Sequence, residues 1–168
     1  MKKLMLILMI AVGVSSVAFG QEKTPDDSKV KQQPISNKAD YSVSFNHLAL
    51  SVKDVDRSAE FYKKVLNLEE ITNKGKMDGI RWFSLGDGKE LHLISLLKDD
   101  IKTNKAVHLA LETSGFDSFI KKLESMKITY SDWAGTLNKV NNRADGIKQI
   151  FLQDPDGYWI EINNVASR

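Results

Sequence analysis

The 168-residue chain has no cysteine, and that absence removes disulfides, thiolate ligands and a cysteine nucleophile together. Any metal must then be held by nitrogen and oxygen. Histidine is scarce, at three residues, and so is proline, also at three. Neither sign of charge prevails, with 24 Lys and Arg against 22 Asp and Glu. No basic surface therefore argues for nucleic acid or anionic lipid as a partner.

The one long apolar stretch, Leu4 to Val14, follows Lys2 and Lys3 and precedes Ala18-Phe19-Gly20. This is the pattern of an export signal, cut before Gln21. The stretch is shorter than the roughly 20 residues that a membrane-spanning helix needs. With no cysteine near the cut, lipid attachment is excluded. Residues 1–20 are expected to be removed, leaving an exported protein, periplasmic or secreted, that is free of the membrane. Losing Lys2 and Lys3 balances the two signs at 22 each. Residues 21–43 are polar, carry Pro25 and Pro34, and read as a flexible linker. Residues 44–168 suit one domain of ordinary size.

That domain repeats itself. His47-Leu48-Ala49-Leu50 recurs word for word as His108-Leu109-Ala110-Leu111. Asp87-Gly88 precedes His92 by the spacing that separates Asp156-Gly157 from Glu161. All three histidines thus fall on repeat-matched positions, and a carboxylate holds the fourth. A metal on a pseudo-two-fold axis would need such a set: His47, His92, His108 and Glu161. A lone histidine on a strand is more often a surface or hydrogen-bonded residue than a ligand. The repeat register is what raises the metal reading above that alternative.

Periodicity gives both copies the order strand, helix, strand, strand, strand. In the first module, 44–97, Ser44 to Val52 alternates as a half-buried strand does. Asp54 stands where a helix N-cap belongs, with Val55, Ala59, Tyr62 and Leu66 at helical spacing behind it. Leu68–Asn73, Ile80–Leu85 and Glu90–Leu97 read as strands, the last two joined at Asp87-Gly88. In the second module, 105–165, Ala106–Glu112 is a strand and Phe116, Phe119, Ile120 and Leu123 mark a helix. Ile128–Tyr130 reads as a short strand and Gly135–Gly146 as an irregular connection that could serve as a substrate loop. Ile147–Gln153 and Tyr158–Asn163 form a hairpin around Asp154-Pro155-Asp156-Gly157.

The arrangement resembles the vicinal oxygen chelate superfamily, the group of glyoxalase I, extradiol dioxygenases and the bleomycin- and fosfomycin-resistance proteins. The most specific piece is Gln153-Asp154-Pro155-Asp156-Gly157-Tyr158-Trp159-Ile160-Glu161-Ile162, which resembles the final hairpin of glyoxalase I. The resemblance implies an α+β fold: two βαβββ modules whose mixed sheet curls around a metal-centred cleft, helices on the outer face. It maps the four ligand positions onto His47, His92, His108 and Glu161.

Three imidazoles and one carboxylate suit a divalent transition metal (Zn, Ni, Co, Mn or Fe), with Mg²⁺ disfavoured by so many nitrogens. Two coordination positions left open could chelate vicinal oxygens of a small molecule. The resemblance implies Lewis-acid stabilisation of an enediolate or similar oxyanion, in isomerase or lyase chemistry, with Glu161, once swung off the metal, as general base. Glu90 shares a strand face with His92 and could accept from an imidazole N–H. Two alternatives stay open: an Fe²⁺ extradiol-type dioxygenase, and a small-molecule (antibiotic) binding module without turnover. Glutathione use is not implied, because the family's anchoring arginine and asparagine correspond here to Ser51 and Leu96. Trp82, Trp133, Tyr158 and Trp159 are candidate pocket walls, and Arg81, Arg143 and Lys148 candidate anchors for an anionic substrate. A homodimer is expected, symmetric pairs being the commonest assembly.

Overall fold

The computed structural model describes residues 41–96 and 100–167, so the stretch expected to be an export signal and nearly all of the expected linker lie outside the described residues. The first module contains β1 (His47–Ser51), α1 (Val55–Lys64), β2 (Glu70–Ile71), β3 (Ile80–Gly86) and β4 (Lys89–Ile94). The second contains β5 (His108–Glu112), α2 (Phe116–Ser125), β6 (Asn141–Asn142), β7 (Lys148–Gln153) and β8 (Trp159–Asn163), with a short 3₁₀ turn at Val165–Ser167.

Each module makes its own four-stranded mixed sheet, ordered β1-β4-β3-β2 and β5-β8-β7-β6. The outer pairs β1–β4 and β5–β8 are parallel and the remaining pairs antiparallel. This is the expected α+β arrangement of paired βαβββ modules, with two open sheets rather than one closed one.

The sequence forms these elements for local reasons. Asp54 caps α1, its carboxylate accepting from the N–H groups of Asp56 and Arg57 at 3.0 Å each. Helix α1 lays Ala59 and Tyr62 on the core, and α2 lays down Phe116 and Leu123. Asp87 and Gly88 both have positive φ, as the two central residues of a tight hairpin turn require. One face of each sheet is apolar: Leu50, Phe83, Leu91 and Leu93 in the first, Ile150, Leu152, Ile160 and Ile162 in the second. These residues, with the helix residues above, form one buried core. The other face carries the polar repeat residues.

One strand differs from expectation. Ile128–Tyr130 is not a strand; the second module's short outer strand is β6, inside the stretch read as irregular connection. Asparagine disfavours strands, so Asn141–Asn142 gave no strand signal. Pairing with Gln149 and Lys148 of β7 imposes the conformation instead. Ser131 still touches the sheet through an isolated bridge to Phe151 of β7, and bridges Leu137 on its other side.

The signature turn Asp154–Gly157 ties the modules together. Asp154 accepts the backbone N–H groups of Asp156 (3.0 Å) and Tyr158 (2.8 Å) on one oxygen, and the Tyr62 hydroxyl (2.9 Å) on the other. Beside it, Ser58 Oγ donates to Asp156 at 2.6 Å and the Lys53 N–H donates to the same carboxylate at 2.8 Å. Tyr158 reaches back, donating its hydroxyl to the Ser51 carbonyl at 3.0 Å. Six bonds from α1, the end of β1 and the β7–β8 turn thus meet in one place, four of them crossing between the modules and two closing the turn.

Burial pushes the Asp154 carboxyl up from its ordinary value, against the hydrogen bonds that pull it down. A carboxyl raised on folding favours the folded state at low pH, and that contribution is lost as pH climbs past the unfolded value of about 3.9. Asparagine at 154 keeps an oxygen for the two backbone donors and can donate to Tyr62. The stability difference between Asp154→Asn and the wild type, measured by urea unfolding, should therefore move in the variant's favour from pH 4 to 7. Tyr62→Phe, which removes a donor to a buried carboxylate, should cost about 1–3 kcal/mol at pH 7 and less at pH 4.

Candidate metal centre

Strand order decides which donors meet. Because β4 lies beside β1 and β8 beside β5, the first and last donor of each module stand on neighbouring strands. The registers match: Ala49 is opposite His92, and Ala110 is opposite Glu161. His47 and His92 are therefore diagonal neighbours, and so are His108 and Glu161. The His47 and His92 rings stack with centroids 4.4 Å apart. His108 Nε2 lies 3.3 Å from Glu161 Oε2. Among the described residues no three His, Asp or Glu side chains gather into one metal-holding group. One chain thus presents the four ligand candidates as two pairs, one per module.

The second pair is set up for a cation. His108 Nδ1 lies 2.8 Å from the Lys105 carbonyl. A carbonyl can only accept, so Nδ1 carries the hydrogen and the lone pair of the neutral ring is on Nε2. That nitrogen faces a carboxylate oxygen, and the pair can share a proton or hold a metal cation between its two atoms. With metal–donor bonds of about 2.0–2.2 Å, donors this far apart subtend a roughly tetrahedral angle. Fixing the tautomer through a backbone carbonyl is also the usual support of a metal-ligating histidine. The pair fits a divalent ion.

The first pair is held differently. His47 Nδ1 donates to Asn46 Oδ1 at 2.7 Å, leaving Nε2 as the lone-pair nitrogen of an exposed residue. His92 is sandwiched between His47 and Trp82, whose ring lies 4.1 Å away and nearly parallel. Its Nε2 is 2.8 Å from Glu90 Oε2, the partner suggested by strand parity. In this arrangement the neutral ring of His92 keeps only Nδ1 as an acceptor. Binding a metal through Nε2 requires Glu90 to let go.

The remaining candidates divide. Trp82 covers His92, and Trp159 lies beneath the Lys105 ammonium at 4.5 Å. Trp133 is half exposed and meets Phe151 edge-on. Tyr158 packs to the opposite side and is structural. Arg81 is taken up by Glu70 and Asp56, Arg143 by Asp145 and Lys148 by Asp117. All three charges have carboxylate partners on the surface.

Two residues that the repeat pattern did not single out stand beside the second pair. Asn163 Nδ2 donates to Glu161 Oε1 at 2.9 Å. Strand parity could have pointed to it, since it lies two residues beyond Glu161 on the same face. Lys105 gave no such signal. Its ammonium donates to Ser131 Oγ and to the carbonyls of Asp132 and Trp133, at 3.1, 3.0 and 3.3 Å. It pins the Trp133 segment to the strand that carries His108.

The sequence model described as "Glyoxalase/Bleomycin resistance protein/Dioxygenase superfamily" matches residues 44–162. The chain belongs to this superfamily. Among similar proteins is "Glyoxylase I 4" of Arabidopsis thaliana, 30% identical over 74% of this chain and 72% of that one. Another is "Metallothiol transferase FosB" of Staphylococcus saprophyticus, 25% identical over 71% of this chain and 76% of that one. The lactoylglutathione lyase structure from Agrobacterium tumefaciens shares the fold, with a TM-score of 0.56 and 18% identity, covering 74% of this chain and 95% of that one. Superfamily relatives thus include glyoxalase-type and metallothiol-transferase proteins, and the matched span contains both donor pairs.

Lys105→Met keeps the stem and removes three charged hydrogen bonds. It should lower stability by about 1–3 kcal/mol and speed proteolysis in the segment 131–137. An unchanged cleavage rate there would mean that the ammonium does not hold the segment.

Proposed function

We propose that the protein is an exported, metal-dependent glyoxalase-like enzyme. It acts on a small molecule that offers two neighbouring oxygens, by isomerase- or lyase-type chemistry. The observation that carries this reading is the His108–Glu161 pair, with Nδ1 fixed by a carbonyl and the Nε2 lone pair aimed at a carboxylate 3.3 Å away. His47, His92, His108 and Glu161 would hold a divalent transition metal, whose Lewis acidity lowers the cost of negative charge on an enediolate-type oxyanion.

The chain's own residues supply the rest. Glu161, buried beside Phe151 and fixed on one side by Asn163, presents a single oxygen that would hold the metal and, once it swings off the ion, can take a proton from the substrate carbon next to the oxygens. Trp82, across from His92, and Trp159, two residues before Glu161, flank the two donor pairs with aromatic surface.

The functional unit on this reading is a homodimer. The first-module pair of one copy faces the second-module pair of its partner, giving two sites about a two-fold axis. The two-pair arrangement within one chain supports it. So do Ala49 and Ala110, exposed small residues on the donor faces that leave room for a facing sheet.

Elemental analysis of the purified protein (from Gln21), refilled with metal, should give about one transition-metal ion per chain. His108→Ala and Glu161→Ala should each lose it while keeping the wild-type circular dichroism. No metal in the refilled wild type would sink the enzyme reading. Light scattering should give twice the chain mass, and Ala110→Arg, on the exposed donor face, should give a single-chain mass and lose metal with it. A metal-loaded monomer would refute assembly across two copies.

A further inference from the structure

Glu161 and Asn163 are the polar pair of β8 that faces away from the core, and both are more than nine-tenths buried, at 7% and 8% exposure. Among the described residues no buried side-chain nitrogen or oxygen lacks a partner, so each bond that these two make can be traced. Asn163 Oδ1 accepts the Val165 N–H at 3.2 Å, at the start of the 3₁₀ turn. That bond fixes which end of the amide is the oxygen, and it leaves Nδ2 directed at Glu161 Oε1, 2.9 Å away. Oε2 alone is left toward His108.

We infer that Asn163 is a positioning residue that makes Glu161 a one-oxygen donor. By occupying Oε1 it keeps the carboxylate from offering both oxygens to one cation, and it holds Oε2 at the spacing from His108 Nε2 described above. The first module has no counterpart. The position two residues beyond His92 is Ile94, and the bond to that donor comes instead from Glu90, two residues before it. The two halves of the repeat therefore hold their last donor from opposite sides. Only the second half uses an uncharged amide as that partner.

The inference rests on the metal reading of the preceding section, and cobalt binding separates the two. Co²⁺ titrated calorimetrically into the wild-type protein, with the visible absorption of the loaded form, tests that reading. No binding by the wild type overturns it and this inference with it. Given binding, Asn163→Leu, similar in size but without a donor, should weaken Co²⁺ affinity by about tenfold and change the visible spectrum. Asn163→Thr, which keeps a hydroxyl donor on a β-branched frame, should stay within about threefold of the wild type, the smaller loss reflecting a donor retained. Wild-type affinity and spectrum in Asn163→Leu would overturn the inference, as would equal losses in the Leu and Thr variants. Should the Leu variant fail to fold by circular dichroism, the same readings on Asn163→Ala decide.

Discussion

The Asp154 carboxylate is the constraint on which the rest of the structure leans. It accepts two N–H groups of its own turn and the hydroxyl of a tyrosine from the other module. A buried carboxylate is costly to desolvate, and these three bonds offset part of that cost only while α1 and the β7–β8 hairpin hold their relative position. Asp156 adds Ser58 and the Lys53 N–H, and Tyr158 adds the Ser51 carbonyl. The most family-specific stretch of the sequence thus does structural work at its turn and presents its donor five residues later, at Glu161.

From that tie follows the placing of β8, and from β8 the candidate site. Strand order puts the last strand of each module beside the first, so a donor near each end of a module becomes a diagonal pair on one sheet face. Parity separates the faces: leucines and isoleucines turn to the helices, while histidines, alanines and the glutamate turn the other way. The two pairs share a register but not an environment. His92 lies in an aromatic stack and bonds to a carboxylate; Glu161 lies against Phe151 and bonds to an amide. A duplicated scaffold has here kept its geometry and changed its chemistry from one half to the other.

Much of this was legible in residues alone. Two copies of His-Leu-Ala-Leu gave the repeat, helical spacing gave α1 and α2, and Asp87-Gly88 gave the first hairpin. What was hidden was hidden for physical reasons. Asn141–Asn142 forms a strand against its own propensity, through pairing with β7. Arg81 has the same composition signature whether it anchors a ligand or bonds to Glu70 and Asp56. Lys105 lies far in sequence from Ser131 and Trp133, and no periodic pattern links a loop lysine to distant carbonyls.

The sequence by itself determined the repeat, the alternation of faces, the donor types and the exclusion of thiolate chemistry. These rest on local periodicity and on residue identity, which need no long-range information. Tertiary structure decided how the donors group. Backbone pairing brings His47 to His92 and His108 to Glu161, and leaves the two pairs as separate halves within one chain. It also decided the tautomer of His108 and the free oxygen of Glu161, because each depends on a partner reached only through folding.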